Sequence, residues 1–132
     1  MVNAGSPSRL LRGLLLLEAG LLAAASTVHS GLLLRGHLHG QARIAEAVIA
    51  AVLLAAWALS FVLPGRTHRL ALLAQSFALM GTLVGLFTIV IGIGPQSGPD
   101  LVFHFALVAL LLAGLYFARR AQSFSRPGGD SL

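Results

Sequence analysis

Neither cysteine nor lysine occurs in this chain of 132 residues. The first absence excludes disulfides, thiolate metal ligands and cysteine catalysis together, and leaves the redox compartment unreadable. The second makes all nine cationic residues arginine. Charge of either sign is scarce, at 10% of residues, where ordinary soluble domains carry about 25%. With 57% hydrophobic residues and a mean hydropathy of +0.88, this composition argues against a soluble protein. A net charge of +5 would suggest nucleic acid in a soluble chain. Here the arginines sit at the edges of apolar runs, where they act as interfacial anchors, so no nucleic-acid partner is expected. Walker loops, strand-based dinucleotide fingerprints and serine elbows are missing too. "IGIGP", residues 91–95, follows a long apolar run without a lysine and reads as a turn.

What is present is four apolar runs, at about 10–28, 44–63, 70–93 and 101–117. Roughly 17 to 25 apolar residues carry a helix across a hydrocarbon core of about 30 Å. The expectation is therefore an all-α, single-domain, up-down bundle of four transmembrane helices over residues 1–132. A cleaved signal peptide is the rival reading of the first run. It is disfavoured because Glu18 interrupts the run, which leads into His29 and Ser30 without a small-x-small site. "LPGRTHR", residues 63–69, and "GIGPQSGPD", residues 92–100, read as turns, with Asp100 placed to cap the fourth helix. The ends, "MVNAGSPS" and "SFSRPGGDSL", read as short disordered tails. Arg9, Arg12, Arg66, Arg69, Arg119, Arg120 and Arg126 fall on one side of such a bundle, with Arg35 and Arg43 on the other. The positive-inside rule then predicts both termini in the cytoplasm.

Lipid tails are as apolar as leucine, so the helices must associate through close packing and a few polar contacts. On the third helix Ala74, Ala78, Gly81, Gly85, Thr88 and Gly92 are spaced 4, 3, 4, 3, 4, a seam of small residues. Its average of about 3.5 favours a left-handed crossing of about 20°. Ala106, Ala109 and Ala113 offer a partner seam on the fourth helix. Packing within the chain is the ordinary outcome, and a dimer interface the alternative.

Ionisable groups inside a membrane are candidate functional residues by default. Glu18 is flanked by Leu14, Leu15, Leu21 and Leu22, so it must find a partner on another helix or stay neutral. Gln75 and Ser76 lie at a similar depth, and Arg66 or Arg69 could reach in by snorkelling. Glu18 is thus either an interhelical hydrogen-bonding group or a proton-coupling carboxylate. A second collection, His29, His37, His39, Glu46, Asp100 and His104, falls near the opposite interface. Asp100 and His104 share a helix face, and Arg43 can pair with Glu46. Imidazoles and carboxylates are ligands for zinc, copper or iron, and histidines from different helices can hold haem. The ordinary reading is solvated loop chemistry with helix capping.

The segment "AEAVIAAVLLAAWALSFVLPGRTHRLALLAQSFALMGTLVG", residues 45–85, resembles the core of DoxX-like four-helix membrane proteins, and "LLRGLLLLEAG" resembles their arginine-led first helix. The resemblance implies a compact bundle in a bacterial inner membrane, sometimes associated with quinone-linked oxidoreductases. Glu46, Arg66 and Arg69 are the matching positions, while "GIGPQSGPDLVFH" departs from the pattern. Small multidrug transporters are similar in length and also carry a first-helix glutamate. Trp57 and Tyr116 are the only indole and phenol here, too few to line a drug chamber. Three readings remain. The first is a non-enzymatic accessory or assembly subunit of a membrane complex, or a homo-oligomer, since so small a bundle has little interior volume and its seams can dock other helices. The second is a redox-associated subunit binding haem, metal or quinone at the outer histidines and Glu46. The third is a proton-coupled carrier centred on Glu18.

Overall fold

A computed structural model describes residues 6–34, 36 and 38–124. Leucine and alanine dominate the apolar runs and favour helix. In lipid, a helix also satisfies its own backbone groups. Four helices result: α1 (Ser6–His29), α2 (Gly40–Val62), α3 (Thr67–Val90) and α4 (Gly98–Phe124), with a single 3₁₀ turn at Pro64–Arg66 before α3. Each is long and apolar enough to cross a membrane. Among the described residues there is no strand.

Each helix starts three or four residues before its apolar run. The run marks what lipid can solvate, whereas the first helical turn exposes N–H groups and is comfortable in the polar interface. Pro7 and Pro99 are the second residues of α1 and α4, where the missing N–H costs no hydrogen bond. Of the two expected tails, Ser6–Ser8 belong to α1 and residues 123 and 124 to α4. Residues 1–5 and 125–132 lie outside the described residues. At its far end α3 stops at Val90, short of the expected 93. Gly92 takes φ +81°, and the N–H groups of Ile93 and Gly94 turn back to the Thr88 carbonyl at 2.9 and 2.8 Å. Gly92 therefore terminates α3 and does not belong to its seam.

Contacts between helix ends establish the alternating direction. His29, last in α1, meets Glu46 near the start of α2 and Asp100 near the start of α4. At the opposite end Arg12 of α1 reaches Ser60 in the last turn of α2. The end carrying the α1–α2 and α3–α4 connections is called the loop end below. Leu11, Leu15 and Leu22 of α1 pack with Leu53 of α2, Ala71, Ala74 and Ala78 of α3, and Leu107 and Leu111 of α4 in one core. Leu73, Met80, Val84 and Phe87 of α3 are at least 58% exposed, whereas Glu18, Ser60 and Gln75 are fully buried. Apolar outside with polar inside is the distribution expected of a bundle dissolved in lipid.

The seam residues Ala74 and Ala78 are buried inside the bundle. A methyl group on Gly81 would come within 2.5 Å of Ile49 on α2, and one on Gly85 within 3.0 Å of His104 on α4. The expected partner seam on α4 is not used: Ala106, Ala109 and Ala113 are exposed. The face that packs is His104, Leu107, Leu111, Gly114 and Ala118. It repeats at 3, 4, 3, 4 like the alanines, so periodicity alone could not choose between the two faces.

Candidate functional site

Two polar centres lie inside the bundle. The first is Glu18, midway along α1, whose two carboxylate oxygens accept from Gln75 Nε2 at 3.0 and 3.1 Å. Ala71, Ala74 and Ala78 share the buried face of α3 with Gln75 and let it come close. Gly114 of α4 completes the fit, because a methyl group there would collide with both the Gln75 amide and a Glu18 oxygen. The Gln75 carbonyl oxygen is buried without a partner. Ser76, expected beside Glu18, is exposed on the other face of α3, and Arg66 and Arg69 are exposed at the α2–α3 turn. The arginine that turns inward is Arg12. Its Nε donates to Ser60 Oγ at 2.9 Å and its Nη2 to the Ser60 carbonyl at 2.6 Å, while its guanidinium lies 4.2 Å from the centre of the Phe61 ring. It thereby caps one of the carbonyls that the end of α2 leaves open.

The second centre is at the loop end. His29 Nδ1 lies 2.8 and 3.0 Å from the two Glu46 oxygens, and its Nε2 lies 3.1 Å from Asp100 Oδ1. A neutral imidazole donates from one nitrogen only, so two protons shared among these three groups are needed to make both contacts hydrogen bonds. His29, Glu46 and Asp100 thus form one continuous proton-bearing chain across α1, α2 and α4. The expected Arg43–Glu46 pair does not form. Arg43 is exposed, its carbonyl accepts from Ser26, and the buried His29 takes both Glu46 oxygens. Nor does Asp100 cap α4. Ser97 does so, with its Oγ accepting the Asp100 N–H at 3.2 Å and its hydroxyl donating to the Asp100 carboxylate. Serine followed three residues later by an acid is a capping-box pattern, and that signal stands in "SGPD".

His104 Nδ1 lies 2.7 Å from the Asp100 carbonyl. A carbonyl only accepts, so Nδ1 carries the proton, which leaves Nε2 as an acceptor in the neutral form of the ring. His39 is half-buried. Its N–H donates to the His29 carbonyl at 2.9 Å, its ring meets the His29 ring edge-on at 6.5 Å, and its Nδ1 is buried without a partner. His37 lies outside the described residues.

This centre separates two cavities. One, of about 150 Å³, opens between α2, α3 and α4 and is lined by Glu46, His39 and His104, with Thr82, Thr88 and Phe103 among its other walls. The other, of about 370 Å³ and more open, is lined by His29, Asp100, Ser97, Gln96 and His39. Thr82, invisible to a search for ionisable groups, enters through its place one residue after the seam glycine Gly81. Among the described residues no three histidine or acidic side chains are grouped to hold a metal ion. The smaller cavity has room for a single six-membered ring, since about 150 Å³ admits a molecule such as benzene.

Comparison with family models, with curated proteins and with solved structures finds no match to this chain.

Proposed function

We propose that this is a non-enzymatic multi-pass membrane protein that holds the single-ring headgroup of a small apolar ligand of the quinone–quinol class at its loop end. The observation that carries the reading is the proton-bearing chain itself: Glu46 lines the ring-sized cavity, Asp100 lines the open one, and His29 bridges them. Apolar walls between helices suit a tailed ligand entering from lipid, and the chain lets a proton pass between headgroup and open cavity. The DoxX-like resemblance over residues 45–85 points the same way and suggests a bacterial inner membrane. The arginine distribution supports cytoplasmic termini, which puts the cavity near the outer face. Electron transfer belongs to a partner, so the protein acts as an accessory subunit. Homo-oligomerisation draws less support, because Ala74, Ala78, Gly81 and Gly85 are occupied by the chain's own helices.

Calorimetry on nanodisc-embedded protein, with decyl-benzoquinol and decyl-benzoquinone as ligands and empty nanodiscs as reference, tests this. At least one ligand should bind saturably at one per chain. Ala45→Phe, on a residue exposed to lipid at the cavity wall, should abolish binding, and Ala47→Phe, exposed on the same helix but outside the cavity, should not. Absence of saturable binding, or binding indifferent to Ala45→Phe, refutes the reading.

A further inference from the structure

The hydrogen-bonding character of the ring-sized cavity follows from counting where its protons go. Thr82 donates its hydroxyl proton to the Ala78 carbonyl at 2.8 Å, and Thr88 donates to the Gly85 carbonyl at 2.7 Å. Each leaves only lone pairs free. His104 spends its Nδ1 proton on the Asp100 carbonyl, so that its neutral form shows the cavity a bare Nε2. Glu46 shares a proton with His29 through both oxygens, and its remaining lone pairs accept. The backbone repeats the pattern. The N–H groups of Ile93 and Gly94, which line the same cavity, both return to the Thr88 carbonyl, and Pro95 has none to offer. Protons to spare on this wall lie at its α2 side, on exposed Gln41, half-buried His39 and the N–H groups of Gln41 and Ala42 in the uncapped first turn of α2, away from the face that Thr82, Thr88 and His104 present.

We infer that the cavity selects a ring carrying its own hydrogen-bond donor, a phenol or quinol hydroxyl, over the same ring bearing only acceptors, such as a quinone or an aryl ether. This rests on the headgroup-binding reading above and specifies which member of the ligand class the site takes. A carbonyl oxygen directed at Thr82, Thr88 and His104 would face lone pairs on every side and lose the hydrogen bonds it made to water. A hydroxyl there donates to one of them. Gly85 contributes by what it lacks, because a side chain at that position would press on His104 Nε2 and close the approach.

The test compares ligands that differ in the donor alone. Para-heptylphenol and its methyl ether, para-heptylanisole, share ring and tail and undergo no redox change. Binding to protein in nanodiscs is measured for wild type, Thr82→Val, His104→Phe and Ala45→Phe, with thermal unfolding checked for each. The wild type should hold the phenol about tenfold tighter than the ether, the ratio expected from one net hydrogen bond. Thr82→Val or His104→Phe should bring that ratio toward unity, and decyl-benzoquinol should outbind decyl-benzoquinone in the same sense. Equal binding of phenol and ether, or a preference for the ether, while Ala45→Phe still blocks both, overturns the donor selection and leaves headgroup binding standing. A preference untouched by both Thr82→Val and His104→Phe overturns the assignment to these walls. If none of the four ligands binds saturably, headgroup binding itself fails and the selection with it.

Discussion

Glu18 and Gln75 show what one residue does in this bundle. A carboxyl group with no exposure depends on the single amide beside it, so the two replacements should differ. Gln75→Leu leaves the Glu18 carboxyl buried and unpaired, which costs about 1–3 kcal/mol. Glu18→Gln keeps an amide–amide hydrogen bond and should cost less. Unfolding by sodium dodecyl sulfate in mixed micelles, followed by circular dichroism, ranks the two; if Glu18→Gln is the more damaging, the carboxylate has a role that this hydrogen bond does not describe. Legibility at this scale was uneven. Glu18 stood out because it has only leucines around it, and Gln75 was the right partner by depth. Ser76, at the same depth, was not, because one residue turns a side chain about 100° around a helix, and depth counting is blind to that rotation. Arg12 was passed over because it stood at the edge of an apolar run, where solvated arginine is ordinary. Its attachment to Ser60, 48 positions away, leaves no local trace.

At the scale of the element, the ends of helices were harder to read than their existence. Hydropathy extended α3 through Ile93, since isoleucine is as apolar as anything in the span. The stop comes instead from Gly92, in the left-handed region at φ +81°. Gly92→Ala should therefore destabilise the loop end by about 1 kcal/mol. Gly20→Ala, inside α1 with open space around it, should be neutral or stabilising by up to about 1 kcal/mol. Thermal unfolding of both variants measures the contrast, and a harmless Gly92→Ala contradicts this account of the α3 terminus. The seam on α3 was legible from Ala74 to Gly85 because small residues at 3–4 spacing are uncommon among leucines. Its partner on α4 was misread, because the alanine row and the row that packs, His104, Leu107, Leu111, Gly114 and Ala118, share the same 3–4 spacing. What distinguishes the packed row is Gly114, a lone glycine in a helical interior that admits the Gln75 amide. A lone interior glycine is a known sequence signal for close approach.

For the whole molecule, four spans require that the two ends of the chain lie on the same side of the membrane. Fluorescent or protease-sensitive tags on the N- and C-termini in cells should report one compartment for both, which the arginine distribution predicts to be the cytoplasm. Tags on opposite sides would mean that one apolar helix does not cross, and the loop-end centre, which draws on α1, α2 and α4 together, could not assemble.

The number of spans and the helical class were determined by the sequence alone, because the free energy of placing a segment in lipid adds up residue by residue along the chain and needs no knowledge of neighbours. Which polar groups meet was decided only in three dimensions. His29 finds Glu46 at a separation of 17 residues and Asp100 at 71, and the ring-sized cavity exists because small residues on α3 set how far that helix stands from α2 and α4. Rotation of each helix about its axis is fixed by packing against the others. Pairing, cavity shape and the direction in which each hydroxyl spends its proton follow from that rotation, a property no single helix possesses.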